Sequence, residues 1–130
     1  MFSSRMQGIE LSGIRKMFDI ATEDSVNLGL GEPDFQPPAE AVEAVYKAMK
    51  AGHNKYGPTN GLPQLRKELA RRLSRYWKGM TSDDVVVTSS GSEALFSSAM
   101  TFIDNGDEVL MPDPGFVLYE PHIKLTGGSP

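Results

Sequence analysis

The chain has 130 residues, a formal net charge of −4 and no cysteine, which excludes a disulfide framework, a thiolate zinc site and a cysteine nucleophile. Hydrophobic residues make up 39% and charged residues 23% of the sequence, as in globular proteins with a buried core. No apolar run reaches the length of a secretory leader or of a membrane span, which predicts a cytoplasmic protein with no membrane partner.

Six basic residues are concentrated in one stretch of this acidic chain: Arg66, Lys67, Arg71, Arg72, Arg75 and Lys78. Their spacing puts much of the cluster on the polar side of a helix whose other side carries leucines and a tryptophan. The pattern favours a solvated face over a phosphate-binding stripe, and we expect no nucleic-acid partner. Neither histidine has a histidine or carboxylate partner at helical spacing, so no metal site is predicted.

The first half of the chain is predicted to hold three helices separated by two structured loops. Apolar residues at helical spacing mark a first helix of roughly 12 residues: Leu11, Ile14, Phe18 and Ala21. A loop with two glycines and three prolines, residues 29–38, precedes a second helix that ends at Gly52. The loop at 53–61 then leads to a third helix, from Pro63 to Gly79.

The second half of the chain alternates strand and helix patterns. Residues 85–88 form a β-branched run without alternation, as in a strand buried on both faces of a parallel sheet. A helix follows and ends at Gly106, a second strand covers 108–111, and a further helix covers 116–125. This order predicts an α/β fold, in which a βαβα unit starts a mostly parallel sheet after an N-terminal helical arm. Because two strands leave the sheet edges open, we expect an N-terminal fragment of a larger protein.

The turn between the first predicted strand and its helix is rich in small hydroxyl residues. Backbone N–H groups at a helix N-terminus are unpaired and the helix dipole adds positive potential there. Ser90, Gly91 and Ser92 are therefore candidates for an anion-binding turn. The same residues also suit an ordinary helix N-cap, and both interpretations stay open on these residues alone. The lysine of a Walker loop and the spaced glycines of a dinucleotide fingerprint are both absent from the turn.

Four segments together resemble, in order and spacing, the motifs of class I aminotransferases of the aspartate and aromatic type, which are fold-type I enzymes that use pyridoxal phosphate. The segments are NLGLGEPDF at 27–35, KYGPTNGLPQLR at 55–66, the strand and turn at 86–95, and GDEVLMPDPGF at 106–116. The resemblance covers nearly the whole chain. It implies that residues 1–38 form an N-terminal arm and part of a small domain. Residues 39–130 would begin the large domain that binds the cofactor.

The resemblance also implies which residues would contact pyridoxal 5'-phosphate. Ser90, Gly91 and Ser92 match the positions that hold the cofactor phosphate, with main-chain amides and serine hydroxyls as donors. Phe116 matches the aromatic residue that stacks on the pyridine ring of the cofactor. Taken by itself, Phe116 is equally suited to pack in the core of the following helix.

Two further residues take roles from the same resemblance. Tyr56 matches the tyrosine that reaches the cofactor phosphate of the neighbouring subunit, which implies a homodimer. Gly31 matches the position where the α-carboxylate of the substrate approaches the backbone, and the missing Cβ would permit that approach. Without the resemblance, Tyr56 also suits a packed loop aromatic and Gly31 an ordinary turn.

The activity implied by the resemblance is the transfer of an amino group between an amino acid and a 2-oxo acid. The Schiff-base lysine of the family lies well beyond the matched region, so no catalytic residue is assigned here and the fragment alone is expected to be inactive. All seven lysines of this chain are expected to be solvated surface charges. Two alternatives remain: a pyridoxal-phosphate-dependent lyase or synthase of the same fold, and a non-catalytic phosphate-binding or regulatory module.

Overall fold

The computed structural model describes residues 2–10, 12–22, 24–26, 28–29 and 31–130, with the backbone alone described at positions 15 and 18. The chain forms two compact units, Gly13–Thr59 and a second unit that combines Met1–Ser12 with Asn60–Pro130. The described residues contain five α-helices and two short 3-10 helices, and none of these helices has both the length and the apolar character of a membrane crossing.

The unit Gly13–Thr59 contains helices α1, Gly13–Ile20, and α2, Ala39–Lys50. Helix α1 is shorter than the 12 residues that the apolar spacing predicts. Leu11 and the side chain of Phe18, two of the four residues behind that prediction, lie outside the described part. The prediction of α2 is confirmed, since Pro38 precedes its first turn and Gly52, at φ +85°, follows its end.

Charges at both ends of α2 suit its dipole. Glu40 lies in the first turn, where negative charge is favoured, and Lys47 and Lys50 lie in the last turn, where positive charge is favoured. Lys47 also donates to Glu43 Oε2 at 3.0 Å across one helical turn. These contacts are on the surface and contribute a few tenths of a kcal/mol each, roughly.

The unit that includes Asn60–Pro130 contains α3, Pro63–Leu73, α4, Gly91–Phe102, and α5, Tyr119–Thr126. All three are predicted from the sequence, but α3 and α4 end earlier than their predicted limits at Gly79 and Gly106. Helix α5 begins at Tyr119, three residues later than predicted. The Ser74 hydroxyl donates to the Arg71 carbonyl at 2.8 Å, a local bond that offers the backbone an alternative to continued helix.

The segments predicted as strands are not paired into a sheet within the described chain. Val85 has φ −118° and ψ 125°, yet residues 85–88 belong to no ladder within the described chain. A parallel bridge joins Glu108 to Ser129. The Ser129 N–H donates to the Asp107 carbonyl, with an N···O distance of 2.7 Å. The βαβα sheet is therefore not confirmed, because a strand's backbone groups need neighbouring strands that these residues do not supply.

Few side chains of the described residues are buried. The buried apolar residues are Ala70 on α3, Val85 in the first extended segment and Ile123 on α5. Arg66 on α3 is buried with them. Helix α3 packs against the 3-10 helix Ser82–Asp84, and α4 packs against α5.

Candidate functional site

The turn before α4 is braced by its own side chains. Ser90 has an extended backbone and its Oγ accepts the Glu93 N–H at 3.1 Å, as an N-cap does. Glu93 Oε2 accepts the Ser89 N–H at 2.6 Å, and Thr88 Oγ1 donates to the Ser90 carbonyl at 2.8 Å. These three local bonds hold the turn at the N-terminus of α4 in one conformation.

Three amides of this turn remain available. The N–H groups of Ser90, Gly91 and Ser92 have no hydrogen-bond acceptor within the described chain, and all three residues are exposed. A Cβ built on Gly91 would meet no atom within 4 Å, so the space in front of the turn is open. Together with two serine hydroxyls and the positive end of the helix dipole, these amides form a donor set that suits a phosphate.

Phe116 lies in the same unit, five residues beyond the second extended segment. Its side chain is 47% exposed and its ring packs edge-to-face on Tyr119, with the ring centroids 5.7 Å apart. Packing against a helix on one edge limits the motion of the ring while part of its surface stays open. Such a ring suits stacking, and the role of Phe116 stays a prediction.

Tyr56 and Gly31 belong to the other unit, Gly13–Thr59. The Tyr56 side chain is fully exposed in the described chain. Gly31 has nothing within 4 Å of the position its Cβ would take. The chain thus brings the turn and Phe116 into one unit, and the roles of Tyr56 and Gly31 stay predictions.

The lysines are largely the surface charges that were predicted. Lys16, Lys47, Lys50, Lys55, Lys67 and Lys78 are exposed. Lys124 is half-buried and donates to Glu120 Oε1 at 2.6 Å, one turn earlier on α5. Among the described residues, the lysines are thus accounted for as surface groups or as a helix ion pair.

Arg66 differs from the other described members of the basic cluster because it is buried. The prediction of a solvated basic face holds for Arg71 and Arg72, which are exposed and share Glu68 as their partner. Hydrogen bonds from Arg71 and then Arg72 lower the pKa of Glu68 to about 2. For Arg66 the prediction is wrong, because its guanidinium is buried. The available signal was its i, i+4 spacing to Ala70, the small residue on the buried face of α3.

The guanidinium of Arg66 is held by backbone carbonyls. Its Nε donates to the Val85 carbonyl at 2.8 Å and its Nη2 to the Ser82 carbonyl. With the Asn60 carboxamide oriented to satisfy both groups, the Asn60 oxygen accepts from Nη1 at 2.8 Å. Asp83 is 3.4 Å from Nη2, but its side chain is 93% exposed, so this ion pair contributes little.

Arg66 binds the carbonyls of residues 82 and 85, and the 3-10 helix Ser82–Asp84 in this segment is capped by hydrogen bonds of its own. The Thr81 amide and hydroxyl both donate to Asp84 Oδ2 at 2.8 Å. These bonds, the amide's first, hold the pKa of the Asp84 carboxyl below its usual range. The 3-10 turn is thereby stabilised directly ahead of the extended segment that leads to the turn before α4.

Comparison with known proteins finds one family across most of the chain. The family model described as aminotransferase class I and II matches residues 23–130. A probable aspartate aminotransferase of Methanocaldococcus jannaschii is 48% identical over 120 residues, which cover 92% of this chain and 32% of that protein. An aspartate aminotransferase of Pyrococcus abyssi is 38% identical, with 98% of this chain and 34% of the relative covered.

Solved structures agree with the sequence comparison. The aspartate aminotransferase of Thermus thermophilus with maleate is 34% identical and superimposes with a TM-score of 0.91, covering 98% of this chain and 35% of that one. An alanine aminotransferase of Pyrococcus furiosus gives a TM-score of 0.84 at 36% identity, covering 100% of this chain and 35% of its own. The chain spans about a third of the length of these relatives. With this agreement over nearly all of its residues, the chain belongs to the class I and II aminotransferase family and shares the fold of its fold-type I members.

Proposed function

We propose that the full-length protein is a pyridoxal-phosphate-dependent aminotransferase that moves an amino group between an amino acid and a 2-oxo acid. The observation that carries the proposal is the likeness to aspartate aminotransferases over nearly the whole chain, in sequence and in backbone. The chain spans about a third of those relatives, so the activity belongs to the complete protein. The fragment by itself is expected to be inactive.

The donor set of the turn fits the cofactor phosphate. The amides of Ser90, Gly91 and Ser92 and the two serine hydroxyls can all donate to phosphate oxygens at the positive end of α4. The Ser90 hydroxyl keeps its own proton for this purpose, because it acts as the acceptor toward the Glu93 amide. Phe116 would stack on one face of the pyridine ring of the cofactor. When bound, pyridoxal phosphate supplies the electron sink of the reaction, while the protein anchors and orients it.

Two residues of the unit Gly13–Thr59 have proposed roles of their own. Tyr56, with its phenol fully exposed, would donate to the cofactor phosphate of a neighbouring subunit, which makes the enzyme a homodimer. Gly31 would let the α-carboxylate of the substrate approach the backbone, and the open space at its Cβ position is compatible with that role. The relatives are named for different amino acids, so the proposal assigns the reaction and leaves the side chain of the substrate open.

The proposal includes the larger architecture. Residues 1–38 would form the arm and part of the small domain, and residues 39–130 would begin the large domain. In the complete enzyme, further parallel strands would pair with residues 85–88 and 108–111 and close the βαβα sheet. The bridge between Glu108 and Ser129 supports parallel pairing at this point. The Schiff-base lysine would come from the remainder of the protein, and the cytoplasmic location stays a proposal from composition.

The test is a product analysis of the full-length protein with pyridoxal phosphate. An aminotransferase converts the bound cofactor to its amine form and releases one 2-oxo acid for each amino acid consumed. Release of a different product, with the cofactor returned in its aldehyde form, would favour a lyase or synthase of the same fold. Cofactor binding with no turnover of any amino acid would favour the binding-module alternative.

The subunit arrangement has its own test. Tyr56→Phe in the full-length enzyme removes one phenolic donor, and we expect modestly weaker retention of pyridoxal phosphate. Tyr46→Phe is the matched control, because Tyr46 lies on α2 with its ring under Lys50. Equal cofactor affinity in both variants would contradict the proposed contact of Tyr56 with the neighbouring subunit's cofactor.

A further inference from the structure

We infer that Arg66 is a positioning residue for the phosphate-binding turn, acting through the segment that leads into it. The inference rests on the proposed function, since it concerns how the proposed site holds its cofactor. Arg66 is buried on α3, and its guanidinium reaches the Val85 and Ser82 carbonyls and the Asn60 carboxamide. It therefore connects three separate points of the chain.

Burying a cation is costly, so the arrangement calls for a physical reason. A buried charge needs hydrogen bonds to most of its donors to offset the loss of water. Here the partners are neutral oxygens, and the one carboxylate in range is that of the exposed Asp83, at 3.4 Å. A guanidinium offers five N–H donors in a fixed planar fork, whereas a lysine ammonium offers three on a flexible stem and an apolar side chain offers none. The geometry indicates that Arg66 serves to hold backbone positions.

The positions it holds lie directly before the turn. Val85 is five residues ahead of Ser90, and its carbonyl is bound by Arg66 itself. Val87 is three residues ahead, and its N–H donates to the Asn60 carbonyl at 3.1 Å. The side chain of Asn60 accepts a hydrogen bond from Arg66. The guanidinium of Arg66 therefore holds Val85 directly and Val87 through Asn60.

The remaining link to the turn is a side-chain bond. Thr88 follows Val87 and its Oγ1 donates to the Ser90 carbonyl at 2.8 Å. Within the described chain, residues 85–88 lie in no sheet ladder, and Arg66 and Asn60 supply the contacts that hold Val85 and Val87. In the complete enzyme these contacts would act beside the proposed sheet. A shift of the segment would move the amides of the turn away from the phosphate, whereas contacts to the pyridine ring would be unaffected.

The experiment compares two ligands in the full-length apoenzyme: pyridoxal 5'-phosphate and pyridoxal, which lacks the phosphate. Dissociation constants are measured by absorbance or fluorescence titration for the wild type, Arg66→Met, Arg66→Lys and Arg71→Met. The ratio of the pyridoxal constant to the pyridoxal phosphate constant reports the phosphate contribution alone. General loss of structure weakens both ligands equally and leaves this ratio unchanged.

For Arg66→Met we expect pyridoxal phosphate to bind about 10- to 100-fold more weakly, as when outer positioning partners of a bound group are removed, with pyridoxal binding unchanged. Arg66→Lys should give an intermediate ratio, because one ammonium satisfies fewer of the acceptors. Arg71→Met, on the same helix but exposed, should keep the wild-type ratio.

A wild-type ratio in Arg66→Met would overturn the inference. If that variant fails to fold, Arg66→Lys decides, and a wild-type ratio there has the same consequence. A wild-type protein that binds neither ligand would overturn the proposed function together with this inference. If the wild type binds the cofactor and the Arg66 variants have the same ratio of dissociation constants as the wild type, the inference alone is overturned.

Discussion

Replacing Gly61 with alanine is expected to loosen the segment that leads to the phosphate-binding turn. Gly61 has φ +100°, a conformation that L-residues rarely adopt. A Cβ at this position would lie 2.6 Å from Val87 Cβ and 2.7 Å from Val87 Cγ2. The variant Gly61→Ala thus combines backbone strain with a collision against a residue that Asn60 also binds.

The free-energy costs of the backbone strain and of the collision with Val87 can be estimated separately. Left-handed backbone costs an alanine about 1–2 kcal/mol, and forcing an extra methyl into an occupied space costs about 1–3 kcal/mol. Gly79 supplies a control, because it has φ +87° and nothing within 4 Å of its Cβ position. Gly79→Ala should therefore show the first cost only. The collision alone corresponds to about a 5- to 140-fold change in a local opening equilibrium.

The assay is hydrogen exchange at the Val87 amide in the full-length protein, since this amide donates to Asn60. Gly61→Ala should accelerate its exchange by at least the factor given for the collision, and Gly79→Ala should leave it nearly unchanged. In the double variant Gly61→Ala/Val87→Gly the collision is gone, and the destabilisations of the single variants should not add. Additive effects, or equal exchange in the two glycine variants, would refute the close approach of Gly61 to Val87.

Three further predictions concern α3, α4 and α5. Ser90→Ala removes the N-cap of α4 and should cost about 1 kcal/mol, seen as faster exchange of the Glu93 amide; unchanged exchange would contradict the cap. The Glu68 carboxyl, with a folded pKa of about 2 against an ordinary 4.5, should stabilise the fold above pH 4.5 and lose this effect as the pH falls toward 2. A ¹³C titration of the carboxyl checks this, and added salt should raise the pKa. Ile123 is buried beside a cavity of about 260 Å³, so Ile123→Ala should cost about 2–4 kcal/mol and Ile123→Val about 1, measured as shifts of the denaturation midpoint.

The helices were predictable from the sequence because their signals are local. Proline at the start and glycine after the end delimit α2, and Gly127, at φ +91°, ends α5 one residue beyond the predicted limit. Both signals depend on backbone geometry that neighbouring residues alone dictate. The N-cap of α4 was recognisable for the same reason, since Ser90 directly precedes the helix that it caps.

The hydrogen-bond partners of Arg66 and the pairing of the predicted strands could not be predicted in this way. Arg66 binds Val85, 19 residues further along the chain, and no local pattern encodes such a partner. A charged residue in a basic cluster is usually solvated, so the composition of this stretch predicts an exposed Arg66, which is incorrect. The strands at 85–88 and 108–111 have the correct residue types, but pairing depends on neighbours elsewhere in the protein.

The exposure of the strand residues explains why the complete enzyme is the object to test. Val85 is buried, whereas Val86 is 67% exposed and Leu110 is fully exposed. In the proposed parallel sheet each strand would be covered on both faces, so one face of each segment would still need a second layer. Burying side chains of this size contributes about 1.5–3 kcal/mol each, which is large against the stability of a domain. In the relatives, two thirds of the protein lie outside the matched region and would supply this layer. In the proposed site, Arg66, Asn60 and Gly61 would add the positioning that brings the amides of the turn to the phosphate.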